Sequence, residues 1–248
     1  MTHKSGTCHG LGCTSTKLIK AHIIGISFAR DIRAGGSVNI LEITPERTHE
    51  PKHQLGQFDS DILCKKCDGI LGEFEDYGSE ICRNFGRDHV KIGNSDFELR
   101  NFDGDRFAKS VLAILWKASI SKRPISEAVA LGPYEDKARD VLFGAKSLNA
   151  LPYLLFVQRY QSDKTDPTQF YFYPVRYKTG VYGLGLAGFK LTATFGNKGY
   201  LIPGRSSRDL SQLAVNGKNV LRGTYIKLET DPDIHKLARQ MRRTQNPL

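Results

Sequence analysis

Residues 61–78 read DILCKKCDGILGEFEDYG. Cys64 and Cys67 enclose two residues directly before a helical pattern, and such a pair is half of a zinc site or a redox pair. Ile70, Phe74, Tyr77, Ile81 and Phe85 recur at three- and four-residue steps, which predicts a helix from Gly69 with one apolar face. Asp68 stands where an N-cap belongs, and Glu73, Glu75 and Asp76 suit the positive end of the helix dipole.

Upstream, CHGLGC places Cys8 and Cys13 five positions apart. Together Cys8, Cys13, Cys64 and Cys67 make a four-thiolate set of two close pairs separated by a long excursion. A tetrahedral structural Zn²⁺ requires such a set, because each short spacing supplies two sulfurs to one ion. A redox pair belongs after a strand in a βαβ setting and has no need of the upstream cysteines, so zinc is the favoured reading. His9 could replace either upstream cysteine as ligand; because two thiolates already fit, a surface residue is the favoured reading of the two. Cys82 lies beside the apolar helix face and reads as a buried thiol.

Outward from this centre the pattern changes several times. KLIKAHIIGISFA (17–29) could be a strand or a short helix, VNILEI (38–43) reads as a strand, and a polar loop follows. HVKIG and FELRNF form a hairpin around Gly93-Asn94-Ser95. DRFAKSVLAILWKASISK (105–122) is a strongly apolar helix, followed by helical pieces at 126–132 and 134–145. From residue 152, PYLLFVQRY, QFYFYPVRY, YGLGLAGFKLTATFG, GYLIPG and GTYIKLE are β-rich segments divided by turn residues. DPDIHKLARQMRRTQNPL closes the chain as a basic helix capped by Asp231 or Asp233. The expected fold class is α+β: an N-terminal treble-clef-like zinc module (1–103), then a basic domain (104–248). That second domain comprises the helical middle, a C-terminal antiparallel sheet and the terminal helix.

The order Cys8, Cys13, His22 and Cys64-x-x-Cys67, with KAHII between the pairs, resembles the zinc-supported HNH endonucleases over roughly the first 85 residues. The resemblance implies a divalent-metal-dependent nuclease, of a kind often phage- or defence-associated. His22 would be the general base on an attacking water, and a cation, usually Mg²⁺, would sit beside the scissile phosphate. Asp61 corresponds to the Asn that usually precedes the second cysteine pair. The usual helix His has no counterpart, but Asp68 and Glu75 offer hard oxygen ligands in its place. Each residue also has a plain structural reading: His22 as a core imidazole, Asp61 in a turn, Asp68 as a cap and Glu75 as a solvated helix residue. The competing function is a non-catalytic zinc module that binds nucleic acid or a protein.

Charge points the same way. The net charge is +10, with 13 basic and 14 acidic residues through residue 100, then 23 basic and 12 acidic beyond it. A basic second half favours an anionic partner, most often nucleic acid, although a soluble basic surface reads the same way. The expected partner is nucleic acid, DNA favoured over RNA. Within it, Phe170, Tyr171, Phe172, Tyr173, Arg176, Tyr177, Lys178 and Tyr182 interleave aromatics with cations, as a half-buried strand also would. GRSSR (204–208) and the helical face Lys236, Arg239 and Arg243 are better candidates for phosphate contact, with a solvated helix end an equal competitor. No apolar run reaches the length of a membrane span, and MTHKSGTCHG lacks a signal-peptide core, so the expected compartment is the cytoplasm.

Overall fold

The helix after the second cysteine pair begins at Lys65, ahead of Gly69, in a computed structural model that describes residues 6–34, 40–41, 52–53, 56–123, 126, 128–169, 171–196 and 214–235. Its N-cap is Cys64, with extended φ −85° and ψ 165°, so Asp68 lies in the first turn and makes no cap. The reason is local: the Cys64 amide is already engaged by the Cys8 sulfur, which holds this residue extended at the point where the helix starts.

The chain runs β1 (Ala21–His22), α1 (Ile26–Ala34), β2 (Ile40–Leu41), β3 (Lys52–His53), β4 (Phe58–Asp59), α2 (Lys65–Asp88), β5 (His89–Ile92) and β6 (Asp96–Leu99). It continues with α3 (Gly104–Ile120), α4 (Glu135–Leu142), β7 (Tyr153–Gln161), β8 (Tyr171–Lys178), β9 (Val181–Leu186), β10 (Phe189–Phe195) and β11 (Leu221–Lys227). Of the two helical pieces expected after α3, the second forms as α4, while the described residues of 126–131 carry no α-helix. GYLIPG lies outside the described residues.

The architecture is mixed α+β. Seven strands form one sheet in the order β5-β6-β11-β7-β10-β9-β8. Every pair is antiparallel except β11 with β7, so the sheet is not purely antiparallel as expected. β11 enters between β6 and β7 after the chain has left β10, and only a long excursion allows such a parallel neighbour. The hairpin β5-β6 forms around Gly93 as its turn residues predict, and it belongs to this sheet. One apolar cluster of buried residues runs from Cys8 to Leu221.

Helix α3 lies at the centre of that core. Asp103 caps it by accepting from the Arg106 amide at 2.9 Å. Phe107, Val111, Leu112, Ile114, Leu115 and Trp116 are all essentially inaccessible. Burying each large side chain contributes on the order of 1.5–3 kcal/mol, which is why the propensity of this helix matters less than its packing. Helix α2 packs against it through small residues: a Cβ on Gly78 would stand 2.5 Å from Ser110 Oγ. The sheet covers the other side, with Tyr153 donating to the Ala108 carbonyl at 3.0 Å. Successive strand residues point to opposite faces, so Tyr160 joins Phe172 and Leu228 in a smaller cluster on the far side of the sheet. Among the described residues, no helix is long and apolar enough to cross a membrane.

Candidate functional site

Two backbone segments bring the four cysteines together. The loop 8–15 closes on itself, with Cys8 N–H donating to the Ser15 carbonyl at 2.8 Å and Cys13 N–H to the Gly10 carbonyl at 3.1 Å. Gly12 makes the reversal with φ +63°, a conformation glycine adopts without penalty. This loop and the segment that follows it are stitched to residues 62–63 by His9 N–H to the Ile62 carbonyl at 3.0 Å and Ile19 N–H to the Leu63 carbonyl at 2.9 Å.

The sulfurs of Cys8, Cys13, Cys64 and Cys67 all lie within 4.8 Å of one another. Cys13 and Cys64 are 3.8 Å apart. A tetrahedral ion with bonds of ~2.3 Å holds its sulfurs about 3.8 Å apart, so the donor set fits a metal ion such as zinc. Backbone amides point at the sulfurs as they do at thiolates: Gly10 N–H and Cys64 N–H reach Cys8 Sγ at 3.4 and 3.3 Å. The Cys67 amide, opposed by burial, brings the Cys64 thiol down to about 7, whereas burial pushes Cys8 and Cys67 up. Gly10 is a fitted part of the cradle, since a Cβ there would stand 2.3 Å from Cys67 Sγ. His9 is exposed and outside the cluster, and Cys82 is a buried thiol 3.9 Å from the Leu186 carbonyl.

Beside this centre, β1 pairs antiparallel with β4 in a register that sets His22 opposite Phe58. The His22 ring is half-buried and meets Phe58 edge-on, with centroids 6.2 Å apart. Among the described residues neither ring nitrogen has a hydrogen-bond partner, so the imidazole is not a core histidine satisfied by backbone. Burial first, then the Lys117 ammonium, hold the ring below the 6.5 of an ordinary imidazole, against the pull of Asp68. It is therefore neutral at neutral pH. Asp68, in the first turn of α2, is half-buried and makes no side-chain hydrogen bond or ion pair among the described residues. Burial raises its carboxyl, opposed by Lys117 and His22.

Glu75 departs from expectation. It is buried, and its Oε2 accepts from Lys117 Nζ at 2.8 Å, so it is not a solvated helix residue. Burial raises its carboxyl to about 7, with Lys117 acting against that rise. Gly25 makes room for the pair, since a Cβ there would lie 2.9 Å from Glu75 Cδ. Asp61 sits at an exposed bend, its amide donating to Asp59 Oδ1 at 2.8 Å.

The four expected nuclease residues are thus divided. His22 and Asp68 share one neighbourhood, Glu75 turns inward, and Asp61 lies at the surface. A Mg²⁺ ligand set from these residues is not assembled: among the described residues, only the four cysteines bring three or more such ligand atoms together. Lys117 escaped the sequence reading, although a lysine inside the apolar run VLAILWKASI signals a buried charge that needs a partner.

In the basic half, β8 turns Phe172 and Pro174 inward and leaves Arg176 and Lys178 exposed. Its Tyr173 hydroxyl accepts from the Gln57 amide at 2.7 Å, so this aromatic strand packs against the segment before β4. Phe170, GRSSR, Lys236, Arg239 and Arg243 lie outside the described residues. No family model, curated protein or solved structure matches this chain.

Proposed function

We propose that the chain is a zinc-stabilised, treble-clef HNH-like protein that acts on nucleic acid, with His22 as the general base of phosphodiester hydrolysis. The observation that carries this reading is the placement of His22. It stands on a short antiparallel pair directly preceding the helix that Cys64 opens, half-buried, neutral and with neither nitrogen hydrogen-bonded among the described residues. Zn²⁺ at Cys8, Cys13, Cys64 and Cys67 is the structural support that fixes the helix start against the loop carrying β1.

Asp68 is the carboxylate left to hold a divalent cation, since Glu75 is engaged by Lys117. Mg²⁺ commonly binds through one or two carboxylates, with water and substrate phosphate completing its shell. When bound, it would neutralise charge developing on the leaving oxygen. His22, for its part, takes a proton from water. The basic second half supplies attraction for a polyanion.

The Glu75–Lys117 pair also favours a second reading, a zinc module that binds nucleic acid or protein and cleaves nothing, because it removes one of the expected metal ligands. Incubating the protein with plasmid DNA and Mg²⁺, beside the His22→Ala variant, separates the two. Hydrolysis that falls by about 10²-fold or more in the variant supports the nuclease. Equal cleavage by both proteins, or by neither, removes the role of His22.

A further inference from the structure

The cross-strand partner of His22 is also a platform for two cations. Lys20 Nζ lies 5.0 Å from the centroid of the Phe58 ring, and the Arg123 guanidinium carbon lies 5.7 Å from it. These cations come from different parts of the chain: Lys20 directly precedes β1, and Arg123 follows α3. Both are exposed, and among the described residues neither is ion-paired.

The position of Arg123 is built. α3 ends at Ser121, whose hydroxyl donates to Asp59 Oδ2 at 2.7 Å and accepts from the Arg123 amide at 3.2 Å. Asp59 is buried, and its other oxygen accepts from the Asp61 amide at 2.8 Å. One buried carboxylate therefore ties the end of α3 to the strand that carries Phe58, which brings Arg123 over the ring. Two exposed like charges gathered over one aromatic ring, neither ion-paired among the described residues, make a place for an anion.

We infer that Lys20 and Arg123 form a two-point phosphate clamp for a nucleic-acid strand, positioned by Phe58, that sets the phosphodiester beside His22. This rests on the reading that His22 acts on nucleic acid. Lys20 contributes a mobile point charge, and Arg123 a planar fork able to engage two phosphate oxygens. Phe58 is a positioning residue, fixing where the two cations stand relative to the His22 ring.

The test is fluorescence anisotropy of a labelled single-stranded DNA oligonucleotide in EDTA, where binding is read without cleavage, across a salt series. Each phosphate contact contributes a slope of about −0.7 in log K against log salt for single strands. The double variant Lys20→Gln/Arg123→Gln is expected to flatten that slope by about 1.4 and to weaken binding roughly 10-fold or more at ~0.1 M salt. Phe58→Leu, with unchanged charge, is expected to weaken binding several-fold while melting close to the wild type. Lys91→Gln, an exposed lysine on β5, serves as the charge control and is expected to leave the slope nearly unchanged. An unchanged slope in the double variant, or no binding by the wild type, overturns the clamp. Failure of the nuclease reading appears separately, as binding by the wild type with no cleavage on adding Mg²⁺.

Discussion

Lys117 Nζ lies 2.8 Å from Glu75 Oε2 between α2 and α3, with 1% and 4% of the two side chains exposed. Glu75 Oε1 has no hydrogen-bond partner among the described residues. Desolvating both charges costs several kcal/mol each, and their attraction only roughly repays it. The pair is thus better explained by what happens when half of it is missing. Glu75→Gln or Lys117→Met alone is expected to destabilise by about 3–5 kcal/mol in urea titration, because one buried charge loses its partner. Glu75→Leu/Lys117→Met together is expected to recover to within ~1–2 kcal/mol of the wild type. Additive losses in the double variant would show that the two residues act separately.

The metal centre makes a sharper prediction than loss of its ligands. About one zinc per chain is expected by metal analysis, falling to none in Cys64→Ser or Cys67→Ser, with loss of thermal stability. Gly10→Ala leaves all four cysteines in place but puts a methyl group only 2.3 Å from Cys67 Sγ. Its zinc affinity, read by competition with a chelating dye, is expected to drop at least about 10-fold. Gly12→Ala is the contrast: its Cβ meets nothing within 4 Å, but φ is +63°. It is expected to cost about 1–2 kcal/mol of stability and to leave zinc affinity nearly intact. Equal zinc affinity in the two variants would remove Gly10 from the cradle.

The cysteine centre was legible because ligand spacing is a local signal. So were the hairpin at Gly93 and the apolar run of α3. The buried face of α2 was legible only in part. Of Ile70, Phe74, Tyr77, Ile81 and Phe85, Phe85 is in the core and Phe74, Tyr77 and Ile81 pack partly buried against it, but the fully buried side also holds Cys67, Leu71, Glu75, Gly78, Ser79 and Cys82. Hydrophobic periodicity does not report a helix contact made through small residues, and Gly78 against Ser110 is such a contact. Nor can it report a carboxylate whose partner lies 42 residues away. Tertiary packing decided both, as it decided the parallel placement of β11 beside β7.

The protonation state of His22 gives a pH prediction. Its folded pKa is lowered by burial first and Lys117 second, with Arg30 adding to the effect. The neutral ring therefore persists below pH 6.5, and the acid limb of a cleavage profile is expected to fall at a midpoint below that value. Removing the positive charge in Arg30→Gln is expected to move the midpoint upward. NMR titration of the imidazole checks the same shift without relying on activity. A midpoint at or above 6.5 would contradict the electrostatics described for the ring.

On the far side of the sheet, Lys190 bridges Asp231 at 2.6 Å and Asp233 at 2.7 Å, and the Tyr177 hydroxyl donates to Asp233. Asp231 also accepts from the Asp233 and Ile234 amides at 2.8 and 3.2 Å, which caps the helical turn at residues 232–235 as its sequence predicts. Asp231→Asn keeps the cap acceptor and loses the charge, so it is expected to cost about 1 kcal/mol less than Asp231→Ala. Burial lowers the Lys190 ammonium, but its bonds to Asp231 and Asp233 outweigh this and raise it above 10.5. A raised cation contributes stability that is complete below the unfolded pKa and is lost as pH climbs through the folded one. Urea midpoints at neutral pH and at about pH 11 should therefore converge between the wild type and Lys190→Met on the alkaline side. A difference that stays constant across that range would mean the lysine acts through its packed stem, and its charge contributes nothing.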